Sequence, residues 1–105
     1  MIIEIDSAAH AEVDSAAAWY EAQRAGLGLE FLREIERAIE TITDMPSSWP
    51  LWPNVSGLRV LVHRFLIHRF PYAIAYQEFP ERIVILAVAH SSRKPGYWLE
   101  RLSRH

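Results

Sequence analysis

The chain of 105 residues contains no cysteine. That excludes disulfides and thiolate zinc sites, and it fits a reducing compartment. The first residues, Met1-Ile-Ile-Glu-Ile-Asp6, lack the basic region and long apolar stretch of a signal peptide. No apolar run approaches the ~20 residues that a membrane helix needs. A soluble cytoplasmic protein is therefore expected. There is no glycine-rich phosphate loop, nucleophile elbow or zinc signature, and the histidines, with His63 and His68 the nearest pair, have no metal-ligand spacing. No metal or cofactor is expected. No internal repeat or low-complexity tract divides the chain, so residues 1–105 are expected to form a single domain.

What is present is sharply divided. Residues 1–45 carry ten acidic and three basic side chains, a balance of −7; residues 46–105 carry three acidic and eight basic, a balance of +5. Their sum is the net charge of −2. A basic second half can face an anion or an acidic partner, or attract the acidic first half.

The pattern of elements is readable. Ile2, Ile3 and Ile5 suggest a first strand, with Asp6 or Ser7 placed to cap the helix that follows. Residues 8–24 are alanine-rich and carry Val13, Trp19 and Tyr20, a helix-favouring composition. Arg24-Ala-Gly-Leu-Gly28 reads as a tight connection. In the next segment Phe31, Ile35, Ala38, Ile42 and Met45 recur at helical spacing, widened by Leu32 and Ile39. Charged residues, including the Glu34–Arg37 pair, fill the opposite face. Pro46 ends this helix.

A loop rich in proline and tryptophan, with Trp49 and Trp52, spans residues 46–57. From Leu58 the pattern is β. Arg59 to Phe70 is long for one strand, and its slipping alternation predicts a bulge or break near Phe65. Tyr72 to Gln77 alternates, and Phe79-Pro-Glu-Arg82 predicts a hairpin. Ile83-Val-Ile-Leu-Ala-Val-Ala is apolar on both faces, the mark of a central strand. Pro95 to Leu102 reads as a short terminal helix. The expected fold is α+β, with a small antiparallel sheet, a helical hairpin on one face, and the order β-α-α-β-β-β-α.

The central strand ends in polar and aromatic residues: His90, Arg93, Lys94, Tyr97 and Trp98. This is the strongest candidate for a functional edge. Several of these residues also have structural readings: a strand-end histidine bonded locally, a tryptophan sealing the core, or Arg69 paired with a helix carboxylate. Tyr72 and Tyr76 fit cross-strand packing.

Together these residues resemble the RelE/ParE superfamily of type II toxins, also called plasmid-stabilisation proteins. The resemblance runs from Trp19-Tyr20 through Phe31-Leu32, Arg69-Phe-Pro-Tyr72 and Tyr76 to Leu86-Ala-Val-Ala-His90, Arg93, Pro95 and Tyr97-Trp98. It implies a toxin encoded with a neutralising antitoxin. RelE-like members cut mRNA on the ribosome without a metal, whereas ParE-like members poison DNA gyrase. The cutting mechanism implies basic side chains that stabilise the phosphorane, with acid–base groups beside them.

Tyr97 and Arg93 match positions of the nuclease branch. Two of its arginines fall on Ala73 and Ser91 here. The resemblance therefore favours a ParE-like binding toxin over a ribosome-dependent endoribonuclease that would use Arg69, His90, Arg93 and Tyr97. An inactive homologue is the third reading. Target contacts are expected at Arg93, Lys94, Tyr97 and Trp98, and antitoxin contacts at Trp19, Tyr20, Arg59, Arg64 and Arg69.

Overall fold

The computed structural model describes residues 1–53 and 61–105. Leu58 and Arg59, named above, lie outside the described residues. The chain begins with strand β1 (Ile2–Ile5), followed by helices α1 (Ser7–Gln23) and α2 (Leu27–Asp44) and a 3₁₀ turn at Pro46–Ser48. Strands β2 (His63–Leu66), β3 (Tyr72–Glu78) and β4 (Arg82–His90) follow, and a 3₁₀ segment spans Leu99–Arg104.

The strand order is β1-β4-β3-β2. β2, β3 and β4 run antiparallel as expected. β1 joins parallel to β4, with Ile3 opposite Ile83 and Ile5 opposite Ile85, so the sheet is mixed. The helical hairpin between β1 and the rest of the sheet supplies the long crossover that a parallel pairing requires.

Local chemistry explains the hairpin. The Asp6 carboxylate accepts from the Ala8 N–H at 2.8 Å and caps α1. Gly26 turns the chain with φ of 90°, a left-handed conformation that glycine adopts without strain. The carboxylate of Glu21 gathers the N–H groups of Gly26 and Gly28, so the two helices meet closely. Phe31, Ile35, Ala38 and Ile42 are buried along the expected stripe of α2. Met45 is not: the helix ends at Asp44, and Met45, which precedes Pro46, leaves the helical path and is 61% exposed. Glu34, read as a solvent-face residue, is buried and held by Arg37 at 2.6 Å.

Both faces of the sheet are covered. Ile74, Ile83, Ile85 and Val88 pack under the helices with Phe31, Ile35 and Ile42. Val62, Ala75, Val84, Leu86 and Ala87 face the other way and pack around Trp98. The two loop tryptophans divide between these layers. Trp49 joins the helix-side core, and Trp52 meets Trp98 edge-on at 5.3 Å on the outer face.

The break expected near Phe65 is present, since β2 ends at Leu66, one residue further on. The segment beyond it turns with Arg69 at φ of 71°. A bulge lies elsewhere in the sheet, between Ala75 and Tyr76, whose partners Ala87 and Ile85 leave Leu86 as the extra residue. The terminal helix begins at Leu99 rather than near Pro95 and is 3₁₀, because Gly96 at φ of 85° breaks a helical path through 95–98.

Candidate functional site

The end of β4 projects beyond β1. The last β1-side backbone bond runs from the Asp6 N–H to the Ile85 carbonyl at 2.9 Å. Further along, the Leu86 carbonyl accepts from Arg101 at 3.0 Å, and the Val88 N–H donates to Glu12 Oε1 at 3.0 Å. Glu12 and Arg101 also pair with each other at 2.9 Å. An ion pair from α1 and the C-terminal segment thus stands where another length of strand would be. Buried backbone groups need such partners.

Tyr97 completes this cluster. Its hydroxyl donates a short hydrogen bond to Glu12 Oε2. Burial raises the phenol pKa above its usual range, and the Glu12 carboxylate adds to that, so the group stays protonated. The ring lies beneath the guanidinium of Arg93, 3.9 Å from centroid to Cζ, and beside that of Arg101 at 5.2 Å.

His90 closes β4 opposite Tyr72 and meets its ring edge-on at 5.0 Å. The Ser92 N–H donates to Nδ1 at 3.0 Å, with Ser92 Oγ 2.8 Å from the same nitrogen. A backbone N–H can only donate, so in the neutral ring Nδ1 accepts and the proton sits on Nε2. Two grooves meet here. One, of about 370 Å³, lies on the outer face, and its lining includes Arg64, His90, Arg93 and Lys94 together with Phe70 and Ala73. The other, of about 410 Å³, runs along α1 between Trp19 and the end of β4, and shares Tyr72, His90, Arg93 and Tyr97.

The four target-contact candidates are neighbours in space but differ in access. Arg93 and Lys94 are exposed, Tyr97 is half-buried, and Trp98 is fully buried in the outer-face core. The candidate nuclease set is not assembled as a unit. His90, Arg93 and Tyr97 share both grooves, whereas Arg69 lines neither and pairs with Glu30 of α2 at 2.8 Å. Ala73 and Ser91 both line the outer groove, so small neutral side chains stand in its wall.

The antitoxin-contact candidates also separate. Trp19 is 60% exposed on α1. Tyr20 is half-buried among Phe31, Phe70 and Tyr72. Arg64 lies on the outer face with its guanidinium 5.8 Å from the Trp52 ring, alongside Arg93 and Lys94 rather than Trp19. Arg59 is outside the described residues. Among the described residues no group of histidine and carboxylate side chains could hold a metal ion, and no helix is long and apolar enough to cross a membrane. Residue-type patterns missed Glu12 and Arg101, because nothing local links positions 89 residues apart.

Residues 3–95 match the family model described as ParE toxin of type II toxin-antitoxin system, parDE. The chain belongs to the ParE toxin family. A solved structure described as the chromosomal ParDE TA system from P. aeruginosa is similar to this ParE-family chain, with a TM-score of 0.71 and 16% identity. The alignment covers 86% of this chain and 95% of that one. At that identity the likeness establishes the fold alone. No match is found among curated proteins. The family match ends at Pro95, before Tyr97, Trp98 and Arg101.

Proposed function

We propose that this ParE-family toxin acts by binding a protein target, DNA gyrase, and is neutralised by a cognate antitoxin, both in the cytoplasm. Gyrase follows from the family resemblance, not from a feature of the groove. The observation that carries binding over cleavage is the state of the outer groove. Ala73 and Ser91 line it where the nuclease branch has arginines, and the Tyr97 phenol is committed to Glu12. Stabilising a phosphorane requires fixed cations aimed at the developing charge. In this reading Arg93, Lys94 and Tyr97 meet the target, and Trp98 supports them from below. Trp19, with Tyr20 behind it, offers an aromatic surface on α1 for the antitoxin. Antitoxins of such systems are segments that order on binding and fill apolar surface.

Induced expression tests the reading. Filamentation, an SOS response and trapped gyrase–DNA complexes are expected, relieved by co-expression of the neighbouring antitoxin. Loss of translation with mRNA cut inside codons would overturn it in favour of the nuclease. Growth unaffected in the absence of antitoxin would leave only the inactive homologue. Tyr97→Phe, which keeps the ring under Arg93 and removes only the hydroxyl that a nuclease would use, should keep its toxicity if the protein binds rather than cuts, provided the variant still melts cooperatively.

A further inference from the structure

The outer groove contrasts with the chain that builds it. The protein has 13 acidic residues and a net negative charge, yet among the described residues no aspartate or glutamate lines this groove. Arg64, His90, Arg93 and Lys94 converge on it from β2, the end of β4 and the following turn. Several of these donors are already oriented. Arg93 is held over the Tyr97 ring, and the Ser92 contacts leave His90 Nε2 as the ring's protonated nitrogen. Arg64 lies over Trp52, and its Nε is shielded from solvent without a partner among the described residues. Leu66, Ile67, Phe70 and Pro71 add aliphatic and aromatic carbon, and Leu66 is 66% exposed.

We infer that this groove binds an acidic peptide segment of a partner protein, with an aspartate or glutamate carboxylate among Arg64, His90, Arg93 and Lys94 and an adjacent aliphatic side chain on Leu66 and Phe70. The inference rests on reading this edge as a partner-contact surface, and it adds the chemistry of the contact. A carboxylate matches the forked donors of two guanidinium groups. The aliphatic contact follows from the exposed Leu66 and the apolar floor.

A nucleic acid fits less well for a stated reason. Recognition of single strands rests on free aromatic faces for base stacking. Here those faces are taken: Tyr97 by Arg93, Trp52 by Arg64 and Trp98, and Tyr72 by His90, Tyr20 and Phe31. The helical hairpin, with its acidic excess, would also repel a long polyanion.

The test uses the purified full chain and a randomised heptapeptide display library. Selected peptides should carry an aspartate or glutamate next to a leucine, isoleucine or valine. Fluorescence anisotropy of the best peptide should show affinity falling about tenfold or more when its carboxylates are replaced by amides. A comparable loss is expected in Arg93→Gln and in Lys94→Gln, an exposed position where folding is not at stake. Selected peptides without carboxylates, or binding unchanged in both variants, would overturn the inference. So would a single-stranded RNA or DNA oligonucleotide that binds more tightly than the peptide at the same salt concentration. None of these readouts depends on toxicity, so failure here and failure of the gyrase reading are separate results.

Discussion

Glu12 on the first helix and Arg101 in the C-terminal segment pair at 2.9 Å and together hold two backbone groups of the central strand, the Val88 N–H and the Leu86 carbonyl. The pair does the work of a strand edge. It also receives the Tyr97 hydroxyl, so the contact surface carried by Arg93 and Tyr97 is fastened to the core through the same carboxylate. Arg101→Met should therefore destabilise the protein by about 3 kcal/mol, because it leaves a largely buried carboxylate without its counter-charge. Urea denaturation should show a lower midpoint with an unchanged slope. An unchanged midpoint would mean the pair is not structural.

Acid should weaken the fold through Asp6. Hydrogen bonds from the Arg104 guanidinium, and then from His105, hold the Asp6 carboxyl well below its ordinary value of 3.8. A group depressed in the folded state contributes stability above its unfolded pKa and loses it as pH falls through the folded one. Stability should thus be flat near neutrality with respect to Asp6 and decline below about pH 4. Asp6→Asn should melt at a lower temperature at pH 7 and show a shallower acid limb. Parallel acid limbs for the two proteins would contradict the role of Asp6.

The close approach of the two helices depends on Gly28. A Cβ there would stand 2.6 Å from the Ala17 carbonyl oxygen, which is backbone and cannot swing away. Gly28→Ala should cost about 1–3 kcal/mol through overpacking, despite alanine's better helix propensity. Equilibrium denaturation decides the sign, and a stabilised variant would show that the hairpin can open without loss.

Two tryptophans should behave oppositely. Trp98 is fully buried, and Trp98→Ala should remove about 3–5 kcal/mol, enough to unfold a marginal domain. Trp19 is 60% exposed, and Trp19→Ser should change stability by less than about 0.5 kcal/mol. Under the proposed function, Trp19→Ser instead weakens rescue by the antitoxin in co-expression. Thermal melts alongside growth rescue separate the two effects, and rescue as complete as for the unaltered chain would remove Trp19 from the antitoxin surface.

Elements with a strong local period were legible before any coordinates. The stripe Phe31, Ile35, Ala38 and Ile42 on α2 is written in spacing alone, and the two-sided apolar run 83–89 marks β4 as central. Asp6 as a cap and Gly26 in the turn follow from local backbone chemistry. Met45 marks the limit of periodicity, since the proline after it ended the helix before the stripe did. The break after Leu66 is legible in the slipping alternation of its own segment, whereas the bulge between Ala75 and Tyr76 is not, because a register shift belongs to two strands at once.

The candidate site divides in the same way. Arg93, Lys94, Tyr97 and His90 sit just past an apolar run, and so their place at the rim of the core could be read directly. Arg64 could not be assigned to them, because its face depends on pairing with Ala75 and on Trp52 folding over that side. Arg69 drew attention through its motif, yet it lies against Glu30.

By itself the sequence determined the α+β class, the helical hairpin, the central strand and the family resemblance, since each rests on short-range spacing and residue type. Only the tertiary structure decided that β1 runs parallel to β4, that Trp49 and Trp52 part to opposite faces, and that Glu12 finds Arg101. Those outcomes depend on which buried backbone groups and apolar faces lack a partner once the sheet has formed. That is a property of the assembled fold, and no local segment carries it.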